Sequence, residues 1–173
     1  MKKNNLIFGL IAGAIVCIAM YPGVFKCYHS GNFDNGLLMG YVSMIVAFSF
    51  VFVGIKNYRD KHLGGIISFG KAFTTGLWIS LIASTVYVAV WMVVYYNFMP
   101  DFMDKYSAYM LDKAKTSGVS VAEIDKQAAE MTNAREMMKN PLFVILFTYF
   151  EILPLGLLIT LISAFILKRK KVN

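Results

Sequence analysis

The chain has 173 residues, of which 58% are hydrophobic and only 16% are charged. A soluble domain carries about 25% charged residues, so this composition argues against a soluble fold and favours a protein solvated by lipid. The formal net charge of +7 does not indicate nucleic-acid binding, because the basic residues are concentrated at one set of predicted helix ends.

Four apolar runs are each long enough to cross a bilayer, which takes about 20 residues of helix. They cover about residues 6–24, 37–55, 72–98 and 142–167. Membrane barrel strands would alternate apolar and polar residues over about ten positions, and none of these runs does so. The sequence therefore predicts an all-α polytopic membrane protein, with four transmembrane helices in a single membrane domain over residues 1–173.

The first run follows Lys2 and Lys3, as in a secretory signal, but no small-residue cleavage pattern comes after it. We therefore expect this helix to be retained. Cys17 lies inside it and Cys27 just beyond it. If the chain between them is helical they are about 15 Å apart, too far for an intrachain disulfide. Two free thiols are expected, with an intermolecular bond through Cys27 as the alternative.

Basic residues predict the orientation in the membrane. The side that holds both termini has ten bases against one acid, Asp60. These bases are Lys2, Lys3, Lys56, Arg59, Lys61, Lys71, Lys168, Arg169, Lys170 and Lys171. The opposite side has seven bases against eight acids. By the positive-inside rule both termini lie in the cytoplasm, and an even number of crossings agrees. We expect a multi-pass protein of the bacterial inner (plasma) membrane.

The segment 99–141 is predicted to form an extracytoplasmic helical hairpin. Its first helix covers about 101–116, with one stripe made of Phe102, Tyr106, Tyr109 and Lys113. Ser120 followed by Glu123 is a capping box that opens the second helix, over about 121–139. The packed face of the second helix is predicted from apolar residues at helical spacing, which are Ile124, Ala128, Met131 and Met138.

Each predicted span carries small residues four positions apart, which let membrane helices approach closely. The predicted helix-packing residues are Gly9, Gly13, Gly36, Gly40, Gly76, Ser80, Gly156 and Thr160. Small residues are common in all membrane helices. These rows therefore predict a compact bundle and no activity.

Glu151 is the only carboxylic acid inside a predicted span, about ten residues into the fourth run. A carboxyl group at bilayer depth is costly unless it is protonated, paired or wetted, so it marks function or a specific helix contact. Pro154 cannot donate to the carbonyl of Phe150, and we expect a kink there. The predicted polar neighbours of Glu151 are Thr148, Ser84, Thr85 and Tyr87. A structural hydrogen-bonded Glu and a proton or cation role both remain open.

Three separated segments carry a resemblance to a known family. They are residues 52–61 (FVGIKNYRDK), 67–76 (ISFGKAFTTG) and 151–156 (EILPLG). In this order, with the long insert between the third and fourth spans, they resemble an uncharacterised bacterial four-span integral-membrane family, domain of unknown function 4199. The resemblance covers nearly the whole chain. It implies an integral inner-membrane protein and no particular activity, substrate or cofactor.

No catalytic or cofactor motif is present, and the acids of the hairpin alternate with lysines as on a solvated helix face. We predict a non-enzymatic assembly, accessory or interaction subunit that acts through helix and hairpin contacts, with no cofactor, no metal and no nucleic acid. Its expected partners are the lipid bilayer and a second copy or another membrane protein. The alternative is a small oligomeric proton- or cation-coupled transporter or channel that uses Glu151 beside the Pro154 kink.

Overall fold

The computed structural model describes residues 1–169, which form six helices. They are α1 (Lys2–Ser30), α2 (Gly36–His62), α3 (Phe69–Phe98), α4 (Phe102–Thr116), α5 (Val121–Met138) and α6 (Pro141–Leu167). Four of them, α1, α2, α3 and α6, are long and apolar enough to cross a membrane. The predicted all-α class with four spans is therefore confirmed. Lys170 and Lys171, predicted to flank the last span, lie outside the described residues.

The first two spans extend beyond their apolar runs. α1 continues to Ser30, where Gly31 adopts a left-handed conformation (φ 69°) and its N–H donates to the carbonyl of Cys27 at 2.9 Å. This glycine cap ends the helix, so the loop predicted to begin at residue 25 begins only at residue 31. Cys27 is consequently helical and only 8% exposed. The alternative of an intermolecular disulfide is therefore disfavoured, because the Cys27 sulfur is covered.

The four spans form a ring in the order α1, α2, α6, α3, and α2 and α3 also touch across its middle. Because a short loop joins α1 to α2 and the α4–α5 pair joins α3 to α6, α1 and α3 run one way and α2 and α6 the other. Asn4 Nδ2 donates to the carbonyl of Gly54 at 3.1 Å, and Arg169 N donates to the carbonyl of Ile67 at 2.9 Å. These contacts tie the start of α1 to the last third of α2, and the residue after α6 to the α2–α3 connection. We call this end of the bundle the terminal side and the opposite end the hairpin side.

Two glycines bring α1 against α3. A Cβ added to Gly9 would lie 2.6 Å from Ile82 Cβ, and one added to Gly13 would lie 2.7 Å from Val86 Cβ. Both distances are shorter than carbon–carbon contact, about 3.5–4.0 Å. The helices therefore touch at these positions only because the side chain is absent.

The α3–α6 contact combines small residues with a polar pair. A Cβ at Gly76 would lie 2.8 Å from Thr160 Cγ2, and one at Gly156 would lie 3.2 Å from Ser80 Cβ. Ser80 Oγ and Thr160 Oγ1 share a hydrogen bond of 2.9 Å, and Ser80 Oγ also donates to the carbonyl of Gly156 at 3.3 Å. Close backbone approach thus allows a short interhelical bond.

The predicted packing row on α2 is only partly used. A Cβ at Gly36 would be in ordinary contact with Cys27 Sγ at 3.5 Å, but one at Gly40 would meet nothing within 4 Å among the described residues. The close approach of α2 is made instead by Gly54, whose Cβ would lie 2.6 Å from Ile79 Cδ1. Gly40 itself is half-buried and lies on the same side of α2 as the buried Met44 and Ala47, so a helix contact there stays a prediction.

The connection between α3 and α6 is a hairpin of two helices, as the sequence predicts. The Glu123 N–H donates to Ser120 Oγ at 3.3 Å, which is the expected N-cap of α5. Gly118 takes a positive φ of 72° in the turn before it. The four residues predicted to form the packed face of α5 are all half-buried. The hairpin is further joined by an ion pair of 2.7 Å between Arg135 of α5 and Asp104 of α4.

Candidate functional site

Glu151 lies on the outer surface of the bundle, whereas Thr148 points into it. The Thr148 hydroxyl donates to the carbonyl of Val144 at 2.7 Å and is buried. The inward row of α6 continues at four-residue spacing through Ile152, Gly156 and Thr160. Successive helical residues are about 100° apart, so a side chain next to this row projects away from the bundle axis. The prediction that Glu151 and Thr148 share one polar face is therefore wrong.

The candidate partners on α3 do not converge on Glu151 either. Thr85 Oγ1 accepts a hydrogen bond from Tyr149 at 2.8 Å, on the other flank of α6. Ser84 and Tyr87 are buried in the core, and Ser84 Oγ has no hydrogen-bond partner among the described residues. Within residues 1–169, no group donates to the Glu151 carboxyl. None of the predicted partners therefore hydrogen-bonds to Glu151 within residues 1–169, although Tyr87 lies close enough to feel the charge of the Glu151 carboxyl.

The Glu151 carboxyl lies in a groove of about 500 Å³ on the outer face of α2 and α6. Its other lining residues are Tyr41, Phe147, Phe150, Pro154, Leu155 and Leu158. A second hollow of about 280 Å³ lies on the other side of Phe150 and Pro154. α6 continues as one helix through Pro154, and the kink there stays a prediction. The outer face of α6 is thus a ridge between two hollows, one of which holds a carboxyl group.

Aromatic stacking docks the hairpin onto the bundle. The ring of Phe33, in the α1–α2 loop, lies 5.6 Å from Phe102 and 5.5 Å from Tyr106 in edge-on geometry, and also contacts Tyr109. Phe102 in turn meets Trp91 of α3 at 5.8 Å. The stripe predicted on α4 is therefore its docking face. Its partner Phe33 was missed, because a single aromatic residue in a short polar loop gives no periodic signal.

Ionic contacts reinforce this docking. Asp34 accepts hydrogen bonds from the Lys113 ammonium, at 2.6 Å, and from the Tyr109 hydroxyl. The Lys113 bond, followed by the Tyr109 bond, holds the pKa of Asp34 below its usual range, and Asp34 raises the pKa of Lys113. The Tyr28 hydroxyl at the end of α1 likewise donates to Asp101. Polar groups thus hold both ends of α4 to the α1–α2 segment.

The outward side of α5 is charged and is not used in packing within the chain. Its residues are exposed, whereas the inward side, which rests on α4, is half-buried. Its exposed charged residues without an ion pair, among the part of the chain that is described, are Glu123, Asp125, Lys126 and Glu130. Three acids against one base leave the exposed side of α5 with a net charge of −2, with Glu123 and Glu130 on one flank and Asp125 on the other. We call these four residues the acidic α5 face.

Four apolar helices with outward hydrocarbon side chains and a helical hairpin at one end define a polytopic α-helical membrane protein. A family model described as protein of unknown function (DUF4199) matches residues 7–169. The chain therefore belongs to this family, and the resemblance found in the sequence is confirmed. No curated protein and no solved structure matches the chain.

Proposed function

We propose that the protein is a non-enzymatic interaction subunit, whose α4–α5 hairpin binds another protein. One observation carries the proposal, namely that α4 is fixed to the bundle while the acidic α5 face is left free on top of it. A contact surface held in place before binding loses less conformational entropy when the partner arrives. The hairpin has this property, because the aromatic cluster around Phe33 and the Asp34 contacts anchor it.

The charge of the acidic α5 face indicates the kind of partner. Complementary charge speeds encounter and selects against wrong partners. A surface that carries Glu123, Asp125 and Glu130 with a single base therefore fits a protein with a basic patch. We propose that this partner is met on the extracytoplasmic side of the bacterial inner membrane, with both termini in the cytoplasm. The lysine- and arginine-rich terminal side supports this orientation.

The orientation is tested by protease access to the hairpin. A protease added to spheroplasts should cut within residues 101–139, whereas the same protease added to inside-out vesicles should leave them intact. The reverse pattern would overturn the orientation. It would leave the docking of the hairpin onto the bundle unaffected.

The interaction is tested by a photo-crosslinking side chain placed at Asn133, which is exposed and uncharged on α5. We expect one discrete adduct with a second protein in intact cells. Reversing Glu123 and Glu130 to lysine should reduce it about tenfold, since rim charges govern association. The matched control is Asp112→Lys, the same charge reversal at an exposed position of α4 outside any ion pair among the described residues. An adduct that survives the double reversal but is lost in the control would contradict the proposal.

A second candidate function, an oligomeric proton- or cation-coupled transporter, is favoured by the position of Glu151 in a groove at bilayer depth. The interior of the bundle is filled by large side chains such as Phe48, Ile79 and Ile152. A transport path would therefore run between copies, past Glu151, and not through one bundle. Ion flux through reconstituted protein should then fall strongly in Glu151→Gln. Flux that is unchanged in this variant would remove the candidate.

A further inference from the structure

The Glu151 carboxyl lies on the outer surface of the bundle without a hydrogen-bond donor among the described residues. Exposed apolar side chains on a membrane helix need no partner, because lipid tails solvate them as well as protein does. A carboxyl group is different, since hydrocarbon offers it neither a hydrogen bond nor a counter-charge. Tyr41 of the same chain lines the groove but makes no hydrogen bond to Glu151 among the described residues, so the carboxyl is left open to a polar group from outside the bundle.

The shape around Glu151 suits a helix surface of the same kind. Phe150 is 80% exposed and stands between the groove that holds Glu151 and the smaller hollow beside it. A protruding ring next to an empty groove is complementary to its own copy after a twofold rotation.

We propose that this face is a twofold interface between two copies of the chain, in which Glu151 of each copy pairs with Tyr41 of the other. A phenol hydroxyl and a carboxyl group are complementary, because either can donate to the other according to the protonation state. A twofold interface places the same patch on both sides, so one such pair is always made twice. The patch thus contains both halves of the required contact. A different partner would have to bring its own polar group to this depth.

The position of the interface is tested by crosslinking in membranes. In a full-length protein with Cys17 and Cys27 replaced by alanine, Phe150→Cys should give a covalent dimer with a short membrane-permeable bismaleimide. The matched control is Ile18→Cys on α1, which is 73% exposed and lies 12 residues from the hairpin-side end of its helix, against 9 for Phe150. A dimer yield at residue 150 no higher than at residue 18 would overturn the proposal. A Phe150→Cys adduct with another protein in place of a second copy would overturn it too.

The polar pair is tested by the strength of association. Single-molecule photobleaching in liposomes, at decreasing protein-to-lipid ratio, counts subunits per spot. We expect Glu151→Leu and Tyr41→Phe each to raise the dimer dissociation constant about tenfold, because each removes both symmetry-related bonds. The double variant should be no weaker than either single one. Tyr21→Phe, which removes the hydroxyl of an exposed tyrosine on α1, should have no effect.

Dimers that are equally stable in all of these variants would overturn the assignment of the pair, and monomers at every lipid ratio would overturn the interface. The inference concerns the α2–α6 face and does not require a hairpin partner. The Asn133 adduct should persist in Glu151→Leu, so that failure of one proposal is distinguishable from failure of the other.

Discussion

The contact between α1 and α3 depends on Gly9, and replacing this residue by alanine tests the packing of the bundle directly. The new Cβ would lie 2.6 Å from Ile82 Cβ and 3.1 Å from the carbonyl oxygen of Ile79. The position of a Cβ atom is set by the backbone, so no rotamer change of Ile82 relieves the overlap. α1 must therefore move away from α3 by about 1 Å to restore ordinary contact distances.

We expect Gly9→Ala to lower the free energy of unfolding by about 1–3 kcal/mol, the usual cost of forcing extra atoms into a packed core. The matched control is Gly40→Ala, which adds the same methyl group to another membrane helix. Because nothing among the described residues lies within 4 Å of that position, this variant should lose no stability and should gain at most about 1 kcal/mol from the higher helix propensity of alanine. The two glycines belong to identical small-residue patterns in the sequence, so the difference between them comes from the structure alone.

The assay is reversible unfolding by steric trapping in lipid bicelles, at protein dilutions where the chain is monomeric. Helical circular dichroism of both variants before unfolding checks that each is folded. Equal losses in Gly9→Ala and Gly40→Ala would refute the packing argument. An unchanged stability in Gly9→Ala would do the same, since it would show that α1 does not lie this close to α3.

The same unfolding assay should detect the hydrogen bond between Ser80 and Thr160 inside the bundle. Ser80→Ala and Thr160→Val should each lower the free energy of unfolding by about 0.6–1.7 kcal/mol and show coupling in a double-mutant cycle. Additive losses would contradict a direct bond. Docking of the hairpin should weaken in acid, because Lys113 lowers the pKa of Asp34 in the docked state. Their contact stabilises the docked state fully above the unfolded-state pKa of about 3.9. This stabilisation is lost as pH falls through the lowered pKa of the folded state. The protection factors of the α4 amides, which are corrected for the slower intrinsic exchange in acid, should therefore fall with pH in the native chain, and Asp34→Asn should abolish that pH-dependent step while weakening docking at neutral pH. At the N-terminus of α5, Ser120→Ala should cost about 1 kcal/mol of local helix stability, seen as faster exchange in the first turn, and no change there would argue against the cap.

Local signals in the sequence predict helices and caps well. The side chain of Ser120 needs only the backbone N–H three residues later to cap α5, and the structure contains that bond. The end of α1 was harder to predict, because hydropathy falls after residue 24 while the helix continues to Ser30. Its true end is fixed by Gly31, whose backbone conformation is not apparent from hydrophobicity.

The direction that each membrane helix faces could not be predicted from its own residues. All four spans are apolar on every side, so no polar face shows which way a helix turns. Glu151 and Thr148 are three residues apart and could share a face, yet small rotations decide that one points into the bundle and the other out of it. Gly40 and Gly9 are likewise equivalent in sequence and opposite in surroundings. Orientation is set by the neighbouring helices, which only the tertiary structure shows.

Polar groups inside the bundle and polar groups on its surface are used differently. Ser80 and Thr160 satisfy each other across the α3–α6 contact, so their hydrogen-bonding capacity contributes to holding the helices together. Glu151 and the acidic α5 face make no such contact within the described chain. A carboxyl group in hydrocarbon is costly to retain, whereas charges on a water-facing helix cost almost nothing. Of the two outward surfaces, the one around Glu151 is therefore under the stronger physical requirement for a partner, and it is the first place to look for association.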